Sequence, residues 1–119
     1  MLMWGDRLLD ARALGYLKWE AATNGTERAI DLVPKDIVVC DWHYEKSARY
    51  LSVPYLASKG FRVWPCGWQP LEATKAFSDF ARETRSPRVL GYLSSTWGKV
   101  KVEDIADWPP VREVLPDWK

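Results

Sequence analysis

The stretch Asp36-Ile37-Val38-Val39-Cys40-Asp41-Trp42-His43-Tyr44-Glu45 decides the fold. Ile37 to Cys40 is a short apolar run without polar alternation, the pattern of a strand buried on both faces. It ends abruptly in five side chains that hydrogen-bond, titrate or stack. Parallel α/β sheets deliver reactive groups in this way, at the carboxyl ends of their strands. The transition recurs three times. Met1-Leu2-Met3 runs into Trp4-Gly5-Asp6-Arg7, and Phe61-Arg62-Val63 into Trp64-Pro65-Cys66-Gly67-Trp68. Val89-Leu90-Gly91-Tyr92-Leu93 runs into Ser94-Ser95-Thr96-Trp97-Gly98. Four strand ends carrying tryptophan predict one aromatic-lined pocket.

Working outward, the expected strands cover 1–4, 36–41, 61–64 and 89–94. Residues 8–25 read as a loop-rich connection. Thr26 is a candidate cap for a short helix through Leu32. Ser52 reads as the N-cap of a helix with Pro54 in its first turn and Gly60 as its stop. Pro70 opens a helix to about Thr84, with Leu71, Phe77, Phe80 and Ala81 on one face. Residues 101–119 read as a C-terminal extension with helical turns near 102–106 and 111–115.

Strand–helix alternation implies parallel strands joined by right-handed crossovers. Four such units are half of an eight-fold barrel, whose usual length is roughly 250 residues. The expected fold class is therefore α/β, a half (β/α)8 barrel forming a single partial domain over 1–119. A compact four-stranded α/β domain also fits the rhythm. Chemistry at every strand end favours the half-barrel, because doubly wound sheets concentrate it at one switch point.

The 119 residues are 47% hydrophobic, enough for a core, and carry a net charge of +1. Near-neutrality argues against nucleic acid or an anionic membrane as partner. No apolar run approaches the roughly 18 residues of a membrane span. No charged-then-apolar leader is visible. Cys40 reads as a buried, inert thiol, and Cys66, at a strand end, as an exposed one. Asn24-Gly25-Thr26 fits a glycosylation acceptor, but Asn-Gly reads better as a turn. Of the eight tryptophans, Trp19, Trp108 and Trp118 are expected to pack in the core. Trp4, Trp42, Trp68 and Trp97 fall where strand becomes loop. The choice between Trp64 and Trp68 for the pocket depends on a bulge at Pro65.

The chain resembles the C-terminal half of the glycoside hydrolase family twenty barrel, the beta-N-acetylhexosaminidase type. The resemblance rests on Met3-Trp4-Gly5-Asp6-Arg7-Leu8-Leu9, on the segment from Pro34 to Glu45, on Lys59-Gly60-Phe61-Arg62-Val63, and on Gly91-Tyr92-Leu93-Ser94-Ser95-Thr96-Trp97-Gly98. It implies that these segments are strands five to eight. It also implies that Trp4, Trp42 and Trp97 wall a pocket for an acetamido sugar. The family's catalytic Asp-Glu pair lies on strand four, and nowhere in this chain is Asp followed directly by Glu. No acidic residue closely follows Trp97, and no Tyr-x-Asp pair follows Phe61.

The resulting expectation is a carbohydrate-handling chain with no catalytic residues and no cofactor of its own. Indole packs on the C–H faces of sugars, while carboxylates, imidazole and guanidinium hold the hydroxyls. Trp4, Trp42, Trp68 and Trp97 would be the walls. Asp6, Arg7, Asp41, His43 and Glu45 would be the hydrogen-bonding set, with Tyr44 on the acetamide. One alternative is a metal-dependent hydrolase using Asp41, His43 and Glu45, which alternate and so share one side of an extended strand. The single histidine is fewer than catalytic zinc sites usually take. The other alternative is a non-catalytic half-barrel that self-associates, or joins a missing N-terminal half, to cover its open edges.

Overall fold

The computed structural model describes residues 1–118. Strands β1 (Leu2–Trp4), β2 (Val38–Trp42), β3 (Arg62–Gly67) and β4 (Leu93–Ser94) form one sheet in the order β1-β2-β3-β4. All three pairings are parallel. The order never reverses, so the sheet contains no switch point. Helices α1 (Ala11–Leu14), α2 (Ser52–Ser58), α3 (Leu71–Glu83) and α4 (Pro109–Val114) connect and follow the strands. Tight 3-10 turns occupy Asp6–Leu8, Thr26–Asp31, Val102–Asp107 and Leu115–Asp117. Among the described residues, no helix is long and apolar enough to cross a membrane.

The register sorts the side chains. Leu2 pairs with Val38, Met3 with Val39, Val39 with Val63 and Cys40 with Trp64. Paired residues share a face, and neighbours along a strand take opposite faces. Met3, Val39, Asp41, Val63 and Pro65 therefore point one way. Leu2, Trp4, Val38, Cys40, Trp42, Arg62, Trp64 and Cys66 point the other. The first face meets the helices. Val39 and Val63 pack there with Leu8, Leu9, Ile30, Leu56 and Phe61. A second cluster joins Tyr50, Val53, Phe77, Tyr92 and Val114. Trp118 stacks on Tyr92 at 6.1 Å and donates its indole N–H to Ser78 at 2.8 Å.

Several local expectations change. Residues 89–94 do not form one continuous strand. Val89 bridges Val63 and Leu93 pairs with Cys66, so four steps on one side oppose three on the other. That is a one-residue bulge, and Pro65 supplies its cause. The Leu90 N–H bonds the Val63 carbonyl and the Ser95 N–H bonds the Gly67 carbonyl. By alternation the Pro65 nitrogen also faces β4, where it has no hydrogen to give. β3 continues past 61–64 to Gly67. Ser52 is not a cap: Leu51 holds that position and the Ser52 hydroxyl turns toward the sheet. Thr26 does not cap either, since its hydroxyl bonds Asn24 and the segment winds as a 3-10 turn. Cys66 is fully buried rather than exposed. Burial pushes its thiol up to about 12, so it stays protonated. Trp19 is 61% exposed and packs in no core.

Gly67, the last residue of β3, sits where a side chain cannot. A Cβ there would collide with the Tyr92 hydroxyl and press on Thr74 Oγ1. Gly67→Ala should therefore destabilise the fold by about 1–3 kcal/mol, the usual cost of overpacking. The urea-unfolding midpoint measures this, and an unchanged midpoint would show that Tyr92 moves aside freely.

Candidate functional site

The helix-free face gathers its aromatic groups at the carboxyl ends of the strands. Trp4 and Trp97 stack with ring centres 6.2 Å apart. Trp42 lies 4.9 Å from Tyr44, and Tyr44 meets Trp68 edge-on at 5.4 Å. The Trp97 indole N–H donates to the Tyr44 hydroxyl at 2.7 Å. Five of the anticipated residues thus form one connected cluster. Asp6 joins it, because the chain turns tightly once the Gly5 N–H has made the last bond to β2, at the Cys40 carbonyl. One Asp6 oxygen accepts the Trp42 indole N–H at 3.3 Å and the other accepts the Arg7 guanidinium at 2.6 Å. Arg7 also donates to the Trp19 carbonyl at 2.9 Å, so it fastens the connection that follows.

Trp64 and Trp68 both lie on this side, and Trp68 is the one in contact with Tyr44. The indole N–H groups of both are buried without a hydrogen-bond partner among the described residues, and so, on the helix side, are the Ser94 hydroxyl, Asp41 Oδ1 and His43 Nδ1. Such orphans are uncommon in native structures. The aromatic groups do not surround one shared cavity, because Trp4 and Trp97 close on each other. The open space lies at the other end of the cluster. A cavity of about 440 Å³ is lined by Tyr44, Glu45, Trp68, Gln69 and Pro70.

Asp41 and His43 are not in this cluster. Alternation that sends Trp42 to the aromatic side sends Asp41 to the helix side, where it is 1% exposed. The Ser52 hydroxyl donates to Asp41 Oδ2 at 2.6 Å, and His43 Nε2 lies 2.8 Å from Ser52 Oγ and 3.2 Å from Asp41 Oδ1. On its other side, His43 Nδ1 faces Glu20 Oε1 at 3.5 Å, an ion-pair separation too long for a good hydrogen bond. Tyr16 stacks on the imidazole at 4.3 Å and bonds Ser52 through its hydroxyl at 3.0 Å. A second cavity, about 280 Å³, opens beside this network, against Tyr16, Glu20, His43, Glu45, Arg49 and Tyr50.

Glu45 points to solvent, because β2 ends at Trp42 and the alternation stops there. The expected same-side trio of Asp41, His43 and Glu45 is therefore not formed. Among the described residues, no group of three or more His, Cys, Asp or Glu is placed to hold a metal ion. The sequence reading missed Glu20, Tyr16 and Ser52 as members of the buried network. Glu20 stands next to Trp19 and near Lys18, which gives it the look of a surface charge. The one available signal was the lone histidine at a strand end, which, once buried, requires partners from elsewhere.

Burial lowers the imidazole pKa, but the nearby Asp41 and Glu20 carboxylates outweigh it. His43 is left raised from 6.5 to about 9. A pKa raised on folding means that protonation stabilises the fold. That contribution is complete below pH 6.5 and is lost as pH climbs through about 9. It amounts to something on the order of 3 kcal/mol. Stability measured by urea unfolding should fall across this alkaline window, and His43→Gln should flatten the fall. A wild-type profile that stays level there would contradict the buried imidazolium. Ser52→Ala should cost about 1–3 kcal/mol at neutral pH, because Asp41 loses a buried donor.

No protein-family model matches the chain, and no curated protein matches it in sequence.

Proposed function

We propose that this chain is half of a (β/α)8 barrel and supplies the aromatic wall of a carbohydrate site for an N-acetylhexosamine-type sugar. The reading draws on the resemblance to the hexosaminidase barrel and on one observation above the others. Trp4, Trp42, Tyr44, Trp68 and Trp97 converge at the carboxyl ends of parallel strands, with the Asp6 carboxylate among them. An unreversed strand order and chemistry at the strand ends are what a barrel segment requires. The indole faces suit the apolar face of a pyranose. Tyr44 and Trp68 line the open space where such a sugar would lie.

Substrate-assisted hydrolysis needs one carboxylate to orient the acetamide and another to protonate the leaving oxygen, unlike the ordinary two-carboxylate scheme. Asp6 is held by Arg7 and Trp42, and the chain has no Asp-Glu pair. The reading is therefore binding without turnover by this chain alone. His43 and Asp41 act on the other side of the sheet, as supports for β2 and α2.

Titrating the purified chain with N-acetylglucosamine should give a saturable change in tryptophan fluorescence. A chromogenic N-acetylglucosaminide should remain uncleaved. Trp68→Ala should weaken binding by about tenfold, the worth of roughly one aromatic contact. Absence of any saturable change would remove the carbohydrate reading.

A further inference from the structure

We infer that a second copy of this chain completes the barrel, with β4 of each copy pairing beside β1 of the other. The inference rests on the half-barrel reading and names the partner that reading needs. Among the described residues, no strand pairs with the outer edge of β1 or of β4. The Met1 carbonyl and the Gly5 N–H bond β2, so by alternation the backbone groups of Leu2 and Trp4 face outward. The Ser95 N–H bonds Gly67, so the backbone groups of Ser94 face outward at the other edge. A two-fold axis along the strands sets these edges side by side and parallel. Two sets of four strands then make eight, the number at which side chains just fill a barrel.

The centre of the helix-free face, at Val38, Cys40 and Cys66, is already buried, and the apolar surface that such a union covers lies toward its two edges. Leu2 is 55% exposed, Trp4 43%, Leu90 47% and Trp97 57%. Leu90 belongs to this face because its neighbour Val89 pairs with Val63 and packs on the helix side. The accessible surface is 7183 Å² for 13.7 kDa. That is roughly 600 Å² above the value of about 6,600 Å² for a monomer of this mass. Two copies hiding that excess bury about 1,200 Å², the lower bound for a specific interface. A net charge of +1 per chain sets little repulsion against the pairing.

The Trp97 loop is the element that must yield. Trp97 sits at φ 47°, a strained value for a bulky residue, and reaches across to Trp4. In the closed barrel the aromatic clusters of both copies face one mouth, so the sugar site is built from two chains.

Sedimentation equilibrium of the full chain from about 1 to about 200 µM should resolve a dimer of twice 13.7 kDa. Leu2→Lys combined with Leu90→Lys should weaken the dimer by about 100-fold while leaving the far-ultraviolet circular dichroism unchanged. A chain that remains monomeric at the highest concentration overturns the inference and leaves the face to a different polypeptide. Open-ended oligomers, or a dimer indifferent to both lysines, overturn it as well. The sugar titration separates the two readings. A dimer that binds no sugar retires the carbohydrate site alone, and a monomer that binds sugar retires the barrel closure alone.

Discussion

A carboxylate at 1% exposure needs partners that match its charge and fill its lone pairs. Asp41 takes a hydrogen bond from Ser52 on Oδ2 and the charge of His43 beside Oδ1, and His43 in turn faces Glu20. These four residues come from β2, the segment after it, the first turn of α2 and the end of the 16–20 connection. The network therefore decides where α2 begins and how the connection after β1 lies against the sheet. Tyr16 closes it, stacking on the imidazole and bonding Ser52. Removal of any one partner leaves a buried charge, so the group behaves as a unit.

With the helix side fixed in this way, the other face of the sheet is free to carry aromatic side chains. Trp42 follows Asp41 directly and points away from it. Tyr44, Trp68 and Trp97 then join it through loops, and Trp4 through the neighbouring strand. Asp6 links the two ends of the cluster's framework, holding the Trp42 indole on one oxygen and Arg7 on the other. The same sheet thus separates two kinds of chemistry by its pleat. Polar charge is sealed beneath the helices, and aromatic surface is shown on the side without them.

Pro65 has a comparable reach for a single residue. It withholds one ladder hydrogen bond from β4 and forces a bulge there. The bulge shortens the paired part of β4 to Leu93–Ser94. Gly91, within the bulged segment, stands at φ 151°, where a Cβ would lie 3.5 Å from the Trp64 indole nitrogen. The strand before it and the loop after it both lie where the aromatic cluster forms.

The sequence by itself determined the parallel α/β class, the four apolar runs, the helices over 52–58 and 71–83, and the clustering of tryptophans at strand ends. These features are local: periodicity, Gly and Pro punctuation, and abrupt transitions from apolar to functional residues all lie within a few positions. Only the tertiary structure decided which of those functional residues meet. Asp41, Trp42 and His43 are contiguous, yet the two-residue period of a strand sends Trp42 to one face and Asp41 to the other. Glu20, Tyr16 and Ser52 stand 23, 27 and 9 positions from His43, and no local rule links them to it. Where β2 ends, at Trp42 rather than beyond Glu45, depends on the length of the ladder its neighbours offer. Long-range pairing sets that length, and with it the division between buried network and aromatic face.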